Sequence, residues 1–407
     1  LNAPHVADQG LSGLEAIARD TAFYVAMFLA LFSILFGTRH LDATERHEGM
    51  VAAVAFESLV KLSAFLAVGA YVTYGMYDGF GDIYSRAIAI PEILPILTLT
   101  PLSGGYEGWV SLVVVSMLAI LCLPRQFQIG VVENVRESHV RKAAWLFPLY
   151  MFLINLFVLP IALGGLLHFS AGTVDPDSFV LVLPLAQDHQ ALALFVFIGG
   201  LSACTGMVIV ETLALSTMIC NDLVMPALLH SKTLNLQAKE DVSGLLLGIR
   251  RGAILVLLFL GYAYYRSAGE SHELVSIGLV SFMAVAQFAP AMLIGMYWKQ
   301  GTAKGAITGL VLGFIVWVHT MLLPSFADSG WMSHSFIDEG PFGIGSLRPR
   351  QLFGLTATDS FAHALFWSLF VNMLGYVSVS LFSRPNAREQ AQALLFVDAF
   401  TVADRGA

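Results

Sequence analysis

The chain has 407 residues, of which 57% are hydrophobic and only 12% charged, and its mean hydropathy is +0.74. A soluble domain carries about a quarter of its residues as charges, so this composition excludes one and points to an all-α integral membrane protein, a multi-spanning helical bundle. The net charge of −8 belongs to the loops; no nucleic-acid partner and no cofactor is expected, and the lipid bilayer is the partner that the composition names.

A helix needs about 17 or more apolar residues to cross a ~30 Å hydrocarbon core. Nine apolar stretches near that length follow one another: Thr21–Phe36, Met50–Tyr77, Trp109–Pro124, Ala143–Phe169, Leu192–Cys220, Ala253–Tyr265, Leu274–Trp298, Ala306–Leu323 and Phe361–Phe382. The sixth reads as short and the fifth as long. Cys122, Cys204 and Cys220 fall inside these stretches without ligand spacing and read as small buried hydrophobes. The eleven histidines show no HxxxH or HExxH pattern, so no metal site is expected. The chain starts at Leu1 without a basic-then-apolar leader, and reads as a protein entered partway along its length.

Lys and Arg gather in short cytoplasmic loops. Counted on alternating sides of the nine spans, fifteen lie on one side and five on the other, with Lys61 inside a span. This predicts an outside N-terminus and a cytoplasmic C-terminus. The long outer loops Asp78–Gly108 and Pro324–Ser360 have room for interfacial helices, with Ala89–Leu99 ("AIPEILPILTL") as one candidate. "GPFGIGSL" (Gly340–Leu347) lacks the strand and helix that flank a phosphate-binding loop, and reads as a turn-rich stretch.

Few charges enter the spans. Glu57 and Lys61 stand at the favourable i,i+4 spacing and form either a structural strut or part of a substrate path. Further on, Gly199, Ala203, Gly206, Val210, Ala214 and Thr217 share one helix face suited to close packing. Glu211 points about 100° away from that face, beside Met207 and Gly200. It is either a structural carboxylate, bonded for example to Asn155, or a proton or substrate site. "CLPRQFQ" (Cys122–Gln128) ends a span with a proline, Arg125 and two amides. That is either an interface marker or an interrupted helix offering Arg125 and Gln128 to a polar ligand. "VAQFAP" places Gln287 next to Pro290 inside the seventh span. Arg125, Gln128, Asn155 and Gln287 are the substrate-binding candidates.

"AVAQFAPAMLIGMYWKQGTAKGAITGLVLG" (Ala284–Gly313) resembles the sodium/solute symporter family. "GTRHLDATERHEGMVAAVAFESLVKL", "LPRQFQIGVVENV" and "REQAQALLFVDAF" resemble the symporter-like membrane domain of CbrA-type bacterial sensor histidine kinases. The resemblance implies a LeuT-like inverted-repeat fold, here partial and lacking the first helices, with a transporter-like membrane domain over residues 1–382 and a cytoplasmic linker toward signalling modules over 383–407. It also implies a bacterial inner membrane, a small polar solute such as the amino acid histidine, and kinase modules as partners in the longer protein. A free-standing secondary symporter without a kinase is the alternative, and no catalytic site is expected in this chain. The family's sodium-ligating hydroxyl pair falls on Gly206 and Met207, which have no side-chain oxygen, with Thr205 adjacent. Glu211 with Thr205, Gly206 and Met207 is therefore the ion-coupling candidate, and the expected ion is a proton rather than sodium.

Overall fold

The computed structural model describes residues 20–37, 48–98, 106–170, 172–230, 243–268, 274–328, 331–355 and 359–397, and these are helical, without strands. Among the described residues seven helices are long and apolar enough to cross a membrane, eight if one bent pair counts as a single span. Large apolar side chains such as Phe28, Phe56, Trp145, Phe152 and Phe259 face outward, at 61%, 70%, 81%, 65% and 61% exposure. Helices apolar on the outside as well as the inside suit lipid as solvent, and the chain is a multi-pass membrane protein.

Two compact units divide the chain. The first comprises Leu1–Ala87 and Gln128–Gly269. It holds α1 (Thr21–Gly37), α2 (Glu48–Tyr71), all but the last residue of α3 (Phe80–Ile88), α6 (Glu137–Asn155), α7 (Val158–His168), α8 (Phe179–Ala186), α9 (Gln190–Met218), α10 (Met225–His230) and α11 (Ser243–Ala268). The small-residue face of α9 packs on α2, as its pattern predicts: a Cβ on Gly199 would lie 2.8 Å from Ala64 Cβ and 3.8 Å from the Val60 carbonyl. Below this contact Val68, Val72, Phe157, Ile161, Phe179, Leu183 and Val196 form one apolar core. Asp20 caps α1 through the amide of Ala22 (2.9 Å) and accepts the Tyr262 hydroxyl (2.9 Å), which ties α1 to α11.

The second unit comprises Ile88–Phe127 and Glu270–Ala407. Its described helices are α4 (Tyr106–Cys122), α5 (Pro124–Phe127), α12 (Leu274–Ala286), α13 (Ala289–Tyr297), α14 (Ala303–Trp317), α15 (Leu323–Asp328), α16 (Ser335–Asp338), α17 (Ser360–Phe382) and α18 (Ala387–Val397). Gly305, Gly309 and Gly313 line one face of α14 at intervals of four, against Asn372, Tyr376 and Ser380 of α17 at the same interval. Such matched spacing lets two helix backbones approach closely.

Three expectations need correction. The sixth span is not short: α11 starts at Ser243, ten residues before the predicted Ala253, and includes Arg250 and Arg251, since long apolar stems let arginine stand in an apolar helix. The Ala89–Leu99 candidate is not an α-helix over its described residues 89–98, Leu99 lying outside them, since Pro91 and Pro95 cannot donate to a helical ladder and only a 3₁₀ turn forms at Leu94–Leu97. The short helix of this loop is instead α3, with Asp82 and Arg86 ion-paired across one turn at 2.7 Å. The fifth span runs past Cys220 through a π-helical turn at Ile219–Val224 into α10, giving 40 residues over Gln190–Leu229. Gly340–Leu347 is turn-rich as expected, with φ +83° at Gly340 and +73° at Gly343.

Past the last span, α18 packs against α13, and its Glu389 reaches the first residue of α14. Glu389 accepts from the amides of Asn386 (2.6 Å) and Ala303 (3.0 Å), while Asn386 accepts from the Glu389 amide (2.8 Å), a reciprocal capping box. Those two donors hold the Glu389 carboxyl below its usual range. A depressed folded-state value means that the docking is fully present above the ordinary carboxylate range and is lost as pH falls through the lower, folded value. A spin label at Gln392 is expected to gain mobility on acidification below that range, and in Glu389→Gln to respond little to pH. Equal pH responses of the two proteins would contradict this role.

Candidate functional site

The intramembrane charges come first. Glu57 and Lys61 both lie on α2, half-buried, and the Lys61 charge acts on Glu57. The Glu57 carboxylate occupies the notch that Gly206 leaves on α9, where a Cβ would overlap it. Position 206 has no side-chain oxygen of its own, and one is delivered there from the neighbouring helix. The Tyr150 hydroxyl of α6 reaches the Ser58 carbonyl at 3.4 Å beside this contact.

The remaining ion-coupling candidates are dispersed around α9. Thr205 spends its hydroxyl on the carbonyls of Leu201 (3.0 Å) and Ser202 (2.9 Å) of its own helix. Met207 is 47% exposed on the outer face, and Glu211 is half-buried. Cys204 is exposed on that face rather than buried as its sequence context suggested, because the apolar surface of α9 is wider than its packed stripe.

The four substrate-binding candidates divide between the units, Gln128 and Asn155 in the first, Arg125 and Gln287 in the second. Arg125 lies in α5, directly after a break at Leu123 where the helix bends by 54°. Gln128 opens a π-helical turn, and its amide donates to Glu133 Oε1 at 3.1 Å. Asn155 ends α6 just before a break at Leu156 and Phe157. Its amide donates to the Met151 carbonyl at 2.7 Å, so its Nδ2 is spent inside its own helix rather than on Glu211.

Gln287 lies at the break between α12 and α13 and is fully enclosed. Its Nε2 donates to Ser368 Oγ (3.0 Å) and to the Met283 carbonyl (3.3 Å). Asn372 Nδ2 donates to the Gln287 carbonyl (2.7 Å) and to Gln287 Oε1 (3.2 Å). Pro290 has no amide to continue the helical ladder, and α17 supplies side-chain partners to the interrupted backbone instead.

A polar cavity of about 420 Å³ opens in the first unit, lined by Tyr71, Met76, Tyr77, Arg86, Leu167, His168 and Gln187 among others. It forms where α2 ends in a π-helical turn at Val72–Met76, beside the ends of α7 and α8. None of the sequence-derived candidates lines it. The Tyr77 hydroxyl donates to the Gly164 carbonyl (3.2 Å), and the Arg86 guanidinium lies 5.4 Å from the Tyr77 ring centroid. The Arg86 hydrogen bond holds the Asp82 carboxyl below its usual range. The polar lining residues stand singly at the ends of different elements, so sequence periodicity carries no sign of them. The one legible hint is that the loop-charge count places all of these ends on the same side.

A second cavity of about 470 Å³, in the other unit, is apolar and lined by Leu118, Pro290, Leu293, Leu365, Phe366 and Leu369 among others. Among the described residues no three His, Cys, Asp or Glu side chains come together as a metal-binding set. No protein-family model, curated protein or solved structure matches the chain.

Proposed function

We propose that the chain is the transporter-like sensory membrane domain of a bacterial histidine kinase, one that binds and moves a small polar nutrient of the amino-acid class, histidine among them. In this reading it is a multi-pass inner-membrane protein of partial LeuT-like inverted-repeat fold, with its C-terminus cytoplasmic and residues 383–407 leading toward kinase modules. One observation carries the proposal. Arg125, Gln128, Asn155 and Gln287 all stand at or just beyond interruptions of apolar helices, at Leu123, at Leu156–Phe157 and at Gln287–Phe288. Interrupted spans are where transporters turn backbone and polar groups toward a solute, since irregular backbone at membrane depth must face protein or a watery path. Within this reading Arg125, Gln128 and Asn155 are solute-binding candidates, each at the interruption of its own helix. Gln287, fully engaged by α17, holds its break in shape.

A proton rather than sodium is the proposed coupling ion. Thr205 directs its hydroxyl into its own helix, and Gly206 and Met207 have no side-chain oxygen for a hard cation. Glu211 is a carboxyl inside an apolar span, where ionisable groups mark proton and solute paths. Uptake of radiolabelled histidine into vesicles, measured from mildly acidic to mildly alkaline pH with sodium or choline as the cation, tests the proposal. The expected result is pH-dependent, sodium-independent uptake that loses its pH dependence in Glu211→Gln. A sodium requirement would overturn the coupling assignment, and an absence of amino-acid uptake or binding would overturn the function. A reading frame ending without kinase modules would favour the free-standing symporter.

A further inference from the structure

We propose that the polar cavity at the end of α2 binds a small organic monocarboxylate, its carboxylate on the Nη edge of Arg86 and its apolar body against Tyr71, Met76 and Leu167. This site is separate from the interrupted helices above and stands whether or not the chain transports anything.

Arg86 is the anchor because its geometry is already set. Its Nε donates to Asp82 Oδ1 at 2.7 Å and its face rests 5.4 Å from the Tyr77 ring centroid, so two of its three binding modes are occupied. The third, the paired Nη donors, has no partner among the described residues, and Arg86 lines the cavity with a side chain 56% exposed. A guanidinium held in place by its other contacts loses little freedom when it takes a carboxylate in two parallel hydrogen bonds. Around it the Tyr71 hydroxyl, the His168 ring and the Gln187 amide also lack hydrogen-bond partners among the described residues. Each of these can donate to a carboxylate, beside the donor-only guanidinium.

Charge and size narrow the class further. Asp82 neutralises Arg86 from its far edge and accepts a second bond from the Asp78 amide at 3.2 Å, which keeps it ionised. A monoanion gains the Nη edge at little cost, whereas a phosphate dianion meets the Asp82 charge. Met76, Leu167 and the Tyr71 ring add apolar walls that an inorganic anion cannot use. The cavity volume of about 420 Å³ falls within the usual ~300–1,000 Å³ range of small-molecule sites. The π-helical turn at Val72–Met76 fits such a role, because π turns recur at functional positions.

The test is calorimetric titration of the full 407-residue chain in lipid nanodiscs with phenylacetate, imidazole-4-acetate and hexanoate, each beside its neutral amide. At least one carboxylate is expected to bind saturably, and its amide at least tenfold more weakly. Losing a charge-assisted pair typically weakens binding by roughly ten- to hundredfold, which is the fall expected for Arg86→Gln, with smaller losses for Gln187→Ala. Asp82→Asn is the second variant: it keeps the cation, removes the repelling charge and is expected to admit phenyl phosphate, which a merely structural Asp82–Arg86 pair would not predict. No saturable carboxylate binding, equal binding of acids and amides, or unchanged affinity in a folded Arg86→Gln would each overturn the proposal. Histidine uptake that persists in Arg86→Gln would leave the transport reading intact while separating it from this site.

Discussion

Gly309→Ala in α14 is expected to lower the stability of the second unit by about 1–3 kcal/mol, the usual cost of overfilling a packed core, although alanine is the better helix former. The added Cβ would lie 2.6 Å from the Asn372 backbone carbonyl and 2.9 Å from both Asn372 Oδ1 and Tyr376 Cβ. Backbone cannot swing aside as a side-chain tip can, so α14 and α17 must separate. Separation also opens the neighbouring contacts, because along the same line a Cβ on Gly305 would lie 2.7 Å from the Tyr376 carbonyl and one on Gly313 2.7 Å from Asn372 Nδ2. Gly309→Leu is expected to abolish folding. Gly248→Ala on α11 is the control, since nothing lies within 4 Å of its added Cβ and only the favourable propensity change of ~0.5–1 kcal/mol remains. Unfolding in mixed micelles measures both. If Gly309→Ala and Gly248→Ala unfold alike, the close approach of α14 and α17 is wrong.

Asn372→Ala is expected to cost about 2 kcal/mol or more, and to loosen the break between α12 and α13. Its Nδ2 is the donor to the Gln287 carbonyl and to Gln287 Oε1. Leaving a buried acceptor without its donor costs ~1–3 kcal/mol. Among the described residues Asn372 Oδ1 is buried without a hydrogen-bond partner and rests over Gly309, so the side chain is kept for its donors. Asn372→Asp keeps the size but sets a carboxylate oxygen against two acceptors. It is expected to be at least as damaging near neutral pH and to recover partly in acid, where protonation restores a donor. Ser368→Ala is expected to cost less, because Gln287 Nε2 retains the Met283 carbonyl at 3.3 Å. A fully stable Asn372→Ala would show that the break holds without α17.

The spans were legible because a helix in lipid must be apolar over most of its length whatever its neighbours are. The nine apolar stretches coincide with helices, but among the described residues only seven of these, or eight with the bent third, are long and apolar enough to cross a membrane, and α1 falls short. The misread boundaries have local causes. Hydropathy penalised Arg250 and Arg251 although both belong to α11, and the apolar run at Ala89–Leu99 outweighed the two prolines that prevent a helix there. The packing face of α9 could be read from spacing alone, since small residues at intervals of three and four have one geometric use.

The candidate site was legible only in part. Glu57 and Gly206 were each singled out, for separate reasons, because nothing in the order of residues says that α2 carries its carboxylate into the notch of α9. Likewise Gln287 stood out beside Pro290, while Ser368 and Asn372, more than eighty positions away, looked like ordinary polar residues in a span.

Composition and periodicity by themselves determined that this is a helical membrane protein, where its spans run and which face of α9 packs, because these follow from each segment's own exchange with lipid. Only the tertiary structure decided which polar groups meet. It set Asn372 on the interrupted helix at Gln287 and Glu57 on Gly206, and it gathered Tyr71, Arg86, His168 and Gln187 around one cavity. Such contacts join residues distant in the chain, and in an apolar medium a polar side chain's role is set by the partner that satisfies it.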